Sequence, residues 1–351
     1  PHRLARSCAN GSGLLIDFSD TELKISYALS VGQEAKLKPS YRQKHLSMTS
    51  HSFHIGAAEI FERVGFESLV DDLVRMHRET PADLRDMLLE QPGKMDKDYC
   101  LIRAAWQEGA ALGVKIASFF PANVSQDLPA IHAAYILFDG ITGVPVRSID
   151  GNALTYLKTA ADSALGSKLL ARPDCRRLLM VGAGAMAPYL IEAHCTVHPG
   201  IETVRIWNRS AGRRDALTET LAKQRHVETA HDLAEAVGWA DLICCATMAS
   251  EPLIQGDWLN PGTHLDLVGA FRKNMREADN EAMRRARLFV DSRKTTIGEI
   301  GELVIPMEAG VITEDDVLAD LYELCAGTKG RKSPEDITLF KNGGGGHLDL
   351  M

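Results

Sequence analysis

The run Val181-Gly182-Ala183-Gly184-Ala185-Met186-Ala187 constrains this chain more than any other feature. It has the form GxGxxA and lies between an apolar segment, Leu178–Val181, and a helical pattern, Ala187–Val197. In that setting each small residue has a task. Gly182 permits the tight turn. Gly184 lets the backbone approach a pyrophosphate where a Cβ would clash. Ala187 lets the helix pack close to the sheet, and the helix N-terminus then turns free N–H groups toward the phosphates. Ala183, Ala185 and Met186 complete the turn. Such a motif alone is weak evidence. Here a second strand, Val204–Trp207, follows in the right order, so the pattern predicts a dinucleotide site.

That second strand ends Trp207-Asn208-Arg209-Ser210. An NAD(H) site expects Asp or Glu at this edge to bind the ribose hydroxyls. No carboxylate stands there. Asn208, Arg209, Ser210 and, on the next turn, Arg213 and Arg214 offer an amide, three guanidinium groups and a hydroxyl, which suit a 2′-phosphate. NADPH is therefore the expected cofactor, with NADH accepted less well. Beyond this point helix Ala211–Lys223, a return at His226–Thr229, helix Ala234–Val237 and strands Leu242–Ala246, His264–Val268 and Leu288–Asp291 alternate. The alternation predicts an α/β fold with a doubly wound parallel sheet. Ligands of such sheets lie beyond the carboxyl ends of the strands, which puts Thr247, Val268 and Gly269 against the nicotinamide half.

The first half has another texture. Apolar residues recur at helical spacing from Ala57 to His77, with a break at Gly65. Tyr99–Ala105, Leu112–Phe119 and Ile131–Phe138 read as strands. Val144–Ile149 reads as a hairpin partner of Tyr135–Phe138 across the Asp139–Gly143 turn. A helix rich in Ala and Leu covers Ala153–Leu170. Residues 1–47 carry seven Lys or Arg against four Asp or Glu and show little periodicity. They read as an extension ahead of Met48 that is non-native or poorly ordered.

Composition removes several classes. The 351 residues carry a net charge of −8 with no run of five or more basic residues, which argues against nucleic-acid binding. No apolar run reaches the roughly 18–20 residues of a membrane helix, and no signal pattern opens the chain. The seven cysteines, Cys8, Cys100, Cys175, Cys195, Cys244, Cys245 and Cys325, are odd in number, widely spaced and without a CxxC. Neither a disulfide framework nor a metal site is expected, and the location expected is cytoplasmic.

The order of motifs resembles the ornithine cyclodeaminase/μ-crystallin family. The matching stretches are Gly113-Val114-Lys115 with Pro121-Ala122-Asn123, Asp139–Pro145, Asp150–Thr155, Thr159–Leu165, the turn at Gly182, Ile206–Arg209, Val290-Asp291-Ser292 and Ile337–Lys341. The resemblance covers roughly residues 55–351. It implies a Rossmann-type domain, 171–305, inserted into a mixed α+β substrate-binding and dimerisation domain, 48–170 plus 306–351. It also implies a homodimer, a nicotinamide cofactor and a small α-imino or α-amino acid as substrate. The family continues past Asp349-Leu350 with a further helix, so the chain reads as cut short.

Family members hold the substrate carboxylate with basic side chains. Lys115 matches the family Lys in its motif, Arg85 falls at the spacing of a family Arg, and Lys158 stands where most members have Arg. Lys offers a point charge in place of a planar fork. Cyclodeaminases carry Asp where this chain has Phe271, and a phenyl ring cannot act as a general base. Hydride transfer to a protonated cyclic imine needs only an oriented substrate, and Phe271 would wall its pocket. The segment Lys341–Asp349, with glycines at 343–346, resembles the imine-reductase branch. Its glycines would let backbone approach a ligand. His347 is expected near the nicotinamide or as a proton donor, beside Lys115 and Lys158 as the catalytic set. Glu299 and Glu302 read as structural.

The expected activity is NADPH-dependent reduction of Δ1-pyrroline-2-carboxylate to L-proline, or of Δ1-piperideine-2-carboxylate to L-pipecolate. Ornithine cyclodeamination, reductive amination of pyruvate and non-catalytic NADPH binding are the alternatives.

Overall fold

The structure, a computed structural model, describes residues 14–17, 24–27, 53–94, 97–126, 128–328 and 330–351. The chain divides into two units, residues 1–52 and 53–351. In the first, Leu14–Asp17 pairs antiparallel with Lys24–Tyr27. The rest of that unit, and with it the expectation for residues 1–47 and Met48, lies outside the described residues.

The second unit holds two sheets. One has eight strands, all parallel, in the order Val227–Thr229, Thr203–Trp207, Arg177–Val181, Leu242–Cys245, His264–Leu267, Ile337–Lys341, Ala286–Val290, Val317–Asp320. Chain order runs outward in both directions from Arg177–Val181, except that Ile337–Lys341 inserts between His264–Leu267 and Ala286–Val290, so the doubly wound expectation holds. Its central strands are buried on both faces and read as continuous apolar runs, as parallel strands must. The other sheet has six strands, His54–Ile55, Pro145–Asp150, Ile131–Asp139, Ala111–Phe119, Lys97–Gln107 and Asp83–Pro92. All its pairs are antiparallel except the first. The expected hairpin pairs Tyr135 with Ile149.

One expectation needs correction. Residues 306–351 were grouped with the substrate domain, yet Val317–Asp320 and Ile337–Lys341 are strands of the parallel sheet. Every residue of Ile337–Lys341 is buried between two neighbouring strands. Only the segment after Lys341 turns back toward the six-stranded sheet. The strand Asp83–Pro92 was missed as well. It is an edge strand, exposed along nearly its whole length, and so lacks the alternation that marks a half-buried strand.

The helix Gly151–Leu170 joins the two layers. Asp150 caps it, accepting a hydrogen bond from Ala153 N–H at 2.8 Å. Thirteen of its 20 residues are buried, because it packs on both sheets and on helix Ala187–Val197, leaving little polar face. Gly166 permits this closeness, since a Cβ there would come within 2.6 Å of the Phe340 ring. A polar network clips the helix to the parallel sheet. Ser163 Oγ donates to Asp266 Oδ1 (3.0 Å), His194 Nε2 meets Asp266 Oδ2 (3.1 Å), and Ser167 Oγ meets His194 Nδ1 (3.0 Å). Cys244 Sγ adds a contact to Asp266 Oδ2. His194, Cys244 and Asp266 bring donor atoms within 4.8 Å of one another. Each is spent in these hydrogen bonds.

Candidate active site

The glycine turn has the shape its sequence requires. Gly182 sits at φ +112°, and a Cβ there would lie 2.5 Å from the Ala246 carbonyl oxygen. Only glycine meets both conditions. Gly184 is different. Nothing lies within 4 Å of where its Cβ would be, and Gly184 and Ala185 are exposed. That open cradle at the start of helix Ala187–Val197 fits a dinucleotide pyrophosphate. Met186 is the N-cap residue and Ala187 is buried against the sheet.

Asn208 braces the turn. Its Oδ1 accepts from Ala183 N–H at 3.1 Å and its Nδ2 donates to the Ser210 carbonyl at 2.9 Å. Arg209, Ser210 and Arg213 are exposed beside it. Among the described residues neither arginine forms an ion pair, whereas Arg214 is buried and bonded to Asp215.

Thr247 and Gly269 end adjacent parallel strands, and one buried carboxylate ties them. Glu277 Oε1 accepts from Thr247 N–H (2.7 Å) and Oγ1 (2.8 Å), and Oε2 accepts from Gly269 N–H (2.7 Å). A Cβ at Gly269 would collide with Thr247 backbone at 2.0 Å. Val268 is bonded to Cys245 through its N–H. Glu302 is structural as expected. It accepts from Glu277 N–H and Ala278 N–H, and burial beside Glu277 lifts its carboxyl to about 7. Glu277 itself was not singled out from the sequence. It follows a charged run, Arg272–Arg276, and nothing in the local sequence marks it as buried.

The expected lysine pair does come together. Lys115 projects from strand Ala111–Phe119 and Lys158 from the long helix, and both are buried. One oxygen, Oδ1 of Asp349, lies 2.7 Å from each ammonium nitrogen. Lys158 also donates to the Gly344 (3.1 Å) and Gly345 (3.0 Å) carbonyls. Lys115 has only a long second contact, 3.5 Å, to Thr155 Oγ1. Burial and the Lys158 charge pull Lys115 down to about 7, against the opposing pull of Asp349. Asp349 is held below the usual carboxylate range by the two lysines despite its burial. The pair lies just past Lys341, at the same end of the parallel sheet as Gly182, Thr247 and Gly269.

Arg85 does not join it. Pairing aligns Arg85 with Ala104 and Val114, whereas Lys115 is aligned with Arg103 and Asp86. Neighbouring positions point to opposite faces, so Arg85 is on the other side of the sheet. It is exposed and paired with Asp83 at 2.8 Å. Arg103 takes the cation's place on the Lys115 face, bonded to Asp86 (2.9 Å) and to the Gly344 carbonyl (2.6 Å).

The glycine run packs against protein. A Cβ at Gly343 would meet Thr296 at 2.7 Å, and one at Gly345 would meet the His347 ring at 2.6 Å. His347 is buried against His77 and Tyr322. Burial and neighbouring cations hold it well below 6.5, hence neutral. It has no proton to release as an imidazolium at neutral pH. Phe271 is 51% exposed, with Arg272 over its ring at 5.0 Å, so it is not core. A charged cleft among Arg172, Arg177, Glu202, Trp239 and Asp241 opens at the opposite end of the strands, and its charges pair with one another. It is not where such sheets bind ligands.

Residues 83–348 match the model of the ornithine cyclodeaminase/mu-crystallin family. The Delta(1)-pyrroline-2-carboxylate reductase of Paracoccus denitrificans is 46% identical over 292 residues, covering 82% of this chain and 91% of that one. The ketimine reductase mu-crystallin of Mus musculus is 35% identical over 241 residues, 69% of this chain and 74% of that one. A solved structure of Thermococcus litoralis Delta(1)-pyrroline-2-carboxylate reductase, in complex with NADH and L-proline, superimposes with a TM-score of 0.79 at 30% identity. It covers 84% of this chain and 93% of its own. With residues 83–348 matching its model and a relative 46% identical over 82% of the chain, the chain belongs to the ornithine cyclodeaminase/mu-crystallin family.

Proposed function

We propose that this protein is an NADPH-dependent reductase of a cyclic α-imino acid, Δ1-pyrroline-2-carboxylate in the first place and Δ1-piperideine-2-carboxylate as a larger homologue. The observation that carries the reading is the buried lysine pair at the carboxyl end of a dinucleotide-type sheet. Its likeness to reductases of that name supports it. A bound dihydronicotinamide supplies the hydride. The chain's own residues orient and exclude water. The Lys115 ammonium takes the substrate carboxylate, which fixes the ring relative to Thr247 and Gly269. Because the pair is buried, that attraction is little screened by water. Phe271 offers an apolar wall and no proton, which suits reduction and not deamination.

Arg209 and Arg213 support NADPH over NADH, since both are exposed beside the glycine turn where the 2′-phosphate would lie. A homodimer is proposed from the outer face of the six-stranded sheet. Met87 (51% exposed), Trp106 (55%) and Ile116 (45%) share that face with Ile102 and Val114. An apolar face of this kind is characteristic of an interface. A second copy is the self-complementary occupant. Arg85 lies on this face and would serve there. A cytoplasmic location is proposed from the cysteines, all of which are free among the described residues. Among the described residues no helix is long and apolar enough to cross a membrane.

The test is NADPH oxidation with Δ1-pyrroline-2-carboxylate, run beside NADH and beside L-ornithine with NAD+. Imine-dependent NADPH loss is the expected result. Ammonia release from ornithine, or no turnover with cofactor bound, would overturn the reading.

A further inference from the structure

We propose that Asp349 is the positioning residue of the carboxylate anchor: it holds the Lys115 and Lys158 ammonium groups side by side and leaves Lys115 one N–H free for the substrate. The inference rests on the imino-acid reading above.

Three elements meet at Asp349 Oδ1, namely the strand carrying Lys115, the helix carrying Lys158 and the turn Gly346–Asp349. Two ammonium groups cannot share a dry site without a counter-charge, and one oxygen at 2.7 Å from both supplies it. An ammonium has three N–H donors. Lys158 has spent all three, on Gly344, Gly345 and Asp349. It therefore fixes the tail and has none left for a ligand. Lys115 has spent one on Asp349 and offers a second to Thr155 at the limit of bonding distance. The third is uncommitted. Asp349 Oδ2 and the Tyr135 hydroxyl are both buried with no partner in the fold. A carboxylate placed there only for packing would have both oxygens bonded.

The charged and titratable groups facing Lys115 come from every neighbouring element. They are Lys158 from the helix, Arg103 with Asp86 from the adjoining strands, Tyr135 from the strand on the other side, and Asp349 and His347 from the tail. Of these, Asp349 is the group that raises the proton affinity of Lys115, while burial, Lys158 and Arg103 lower it. Neutralising Asp349 removes that support, and Lys115 then loses its proton at lower pH.

The test compares Asp349→Asn and Asp349→Glu with the parent across pH. In Asp349→Asn the rise of the substrate KM with pH moves down by about one unit or more, so KM at pH near 7.5 is raised about tenfold. The gap closes toward pH near 6. The NADPH KM stays put, kcat changes less than KM, and Asp349→Glu recovers part of the loss. An unchanged KM profile overturns the proposal. So does a fall in KM, which would make Asp349 a carboxylate that the substrate must displace. A second readout does not need turnover. Protein labelled with ε-13C lysine, with the Lys115 signal assigned through Lys115→Arg, reports the Lys115 titration directly by NMR. A Lys115 midpoint lower in Asp349→Asn supports the proposal even where no imino acid is reduced. An unmoved midpoint overturns it even where the reductase reading stands.

Discussion

Replacing Glu277 by Gln asks whether one carboxylate holds the strand ends that would line the cofactor. The parent carboxylate accepts two bonds from Thr247 and one from Gly269, at 2.7–2.8 Å. Gln keeps the shape but has one acceptor oxygen. If that oxygen stays with Thr247, the amide NH2 faces Gly269 N–H, donor against donor. A buried donor left unsatisfied costs about 1–3 kcal/mol. Two effects work the other way. Burial already pushes the Glu277 carboxyl up, against the pull of the Lys341 ammonium, and the Glu277 charge helps to lift the Glu302 carboxyl. A neutral amide relieves both. That relief acts on folding and does nothing for Gly269, so the damage should show in cofactor geometry more than in stability. The expected result is NADPH binding weakened by about 5-fold to about 140-fold, at about 1.4 kcal/mol per decade. The fall in Tm should be only a few degrees, at roughly 2–4 °C per kcal/mol. Titration calorimetry with NADPH and thermal unfolding of the same samples measure the two. A folded variant that binds NADPH within about twofold of the parent would refute the brace, and with it the placing of Thr247 and Gly269 against the cofactor.

Three further outcomes are expected. Arg209→Gln combined with Arg213→Gln should cut NADPH affinity by about tenfold and leave NADH within about twofold, because an exposed guanidinium contributes roughly a kcal/mol or less. Steady-state KM values for both cofactors check it. Ile116→Glu puts a charge in the middle of the apolar sheet face and should shift the protein from dimer to monomer in analytical ultracentrifugation, with secondary structure unchanged by circular dichroism. Lys115→Met should flatten the pH dependence of stability. Lys115 sits at about 7 in the fold against 10.5 unfolded, so the unfolded chain binds more protons between those values. The parent then gains stability as pH rises from about 7 toward 10, whereas the variant lacks that gain; urea midpoints at several pH values separate the two.

The parts of the fold set by local pattern were legible. The glycine turn, helix Ala187–Val197 and the alternation of strands with helices follow from apolar spacing and small residues, which act within a few positions. What escaped depends on partners outside the segment itself. Asp83–Pro92 is a strand because it pairs with Lys97–Gln107, not because its own residues alternate. The family resemblance places Ile337–Lys341 in the substrate domain, yet its apolar run fits the gap between two parallel strands. Arg85 shows the same limit at the site. Its distance along the sequence was right for a clamp, but one step of register decides which face a strand residue takes. Arg103 has the opposite parity and therefore reaches the tail. Glu277 and Asp349 were invisible for another reason. Carboxylates on a sequence read as surface, and only the fold shows them buried with backbone N–H groups or ammonium groups around them.

Lys158 draws these threads together. As a departure from arginine it read as a weakened clamp, since a guanidinium grips a carboxylate with two parallel bonds. The structure gives the position a different task. Three acceptors, the Gly344 and Gly345 carbonyls and Asp349 Oδ1, converge on one nitrogen at 2.7–3.1 Å. A tripod of N–H bonds from a single atom meets such a set, and a planar fork does not. The glycines complete the argument. Their close packing on Thr296 and the His347 ring brings the two carbonyls to the lysine, and a side chain at Gly343 or Gly345 would push them away. The glycine run, the lysine and the tail carboxylate are therefore one device. It leaves Lys115 as the cation with a hydrogen to give, and the proposed substrate anchor would depend on residues more than 180 positions apart in the chain.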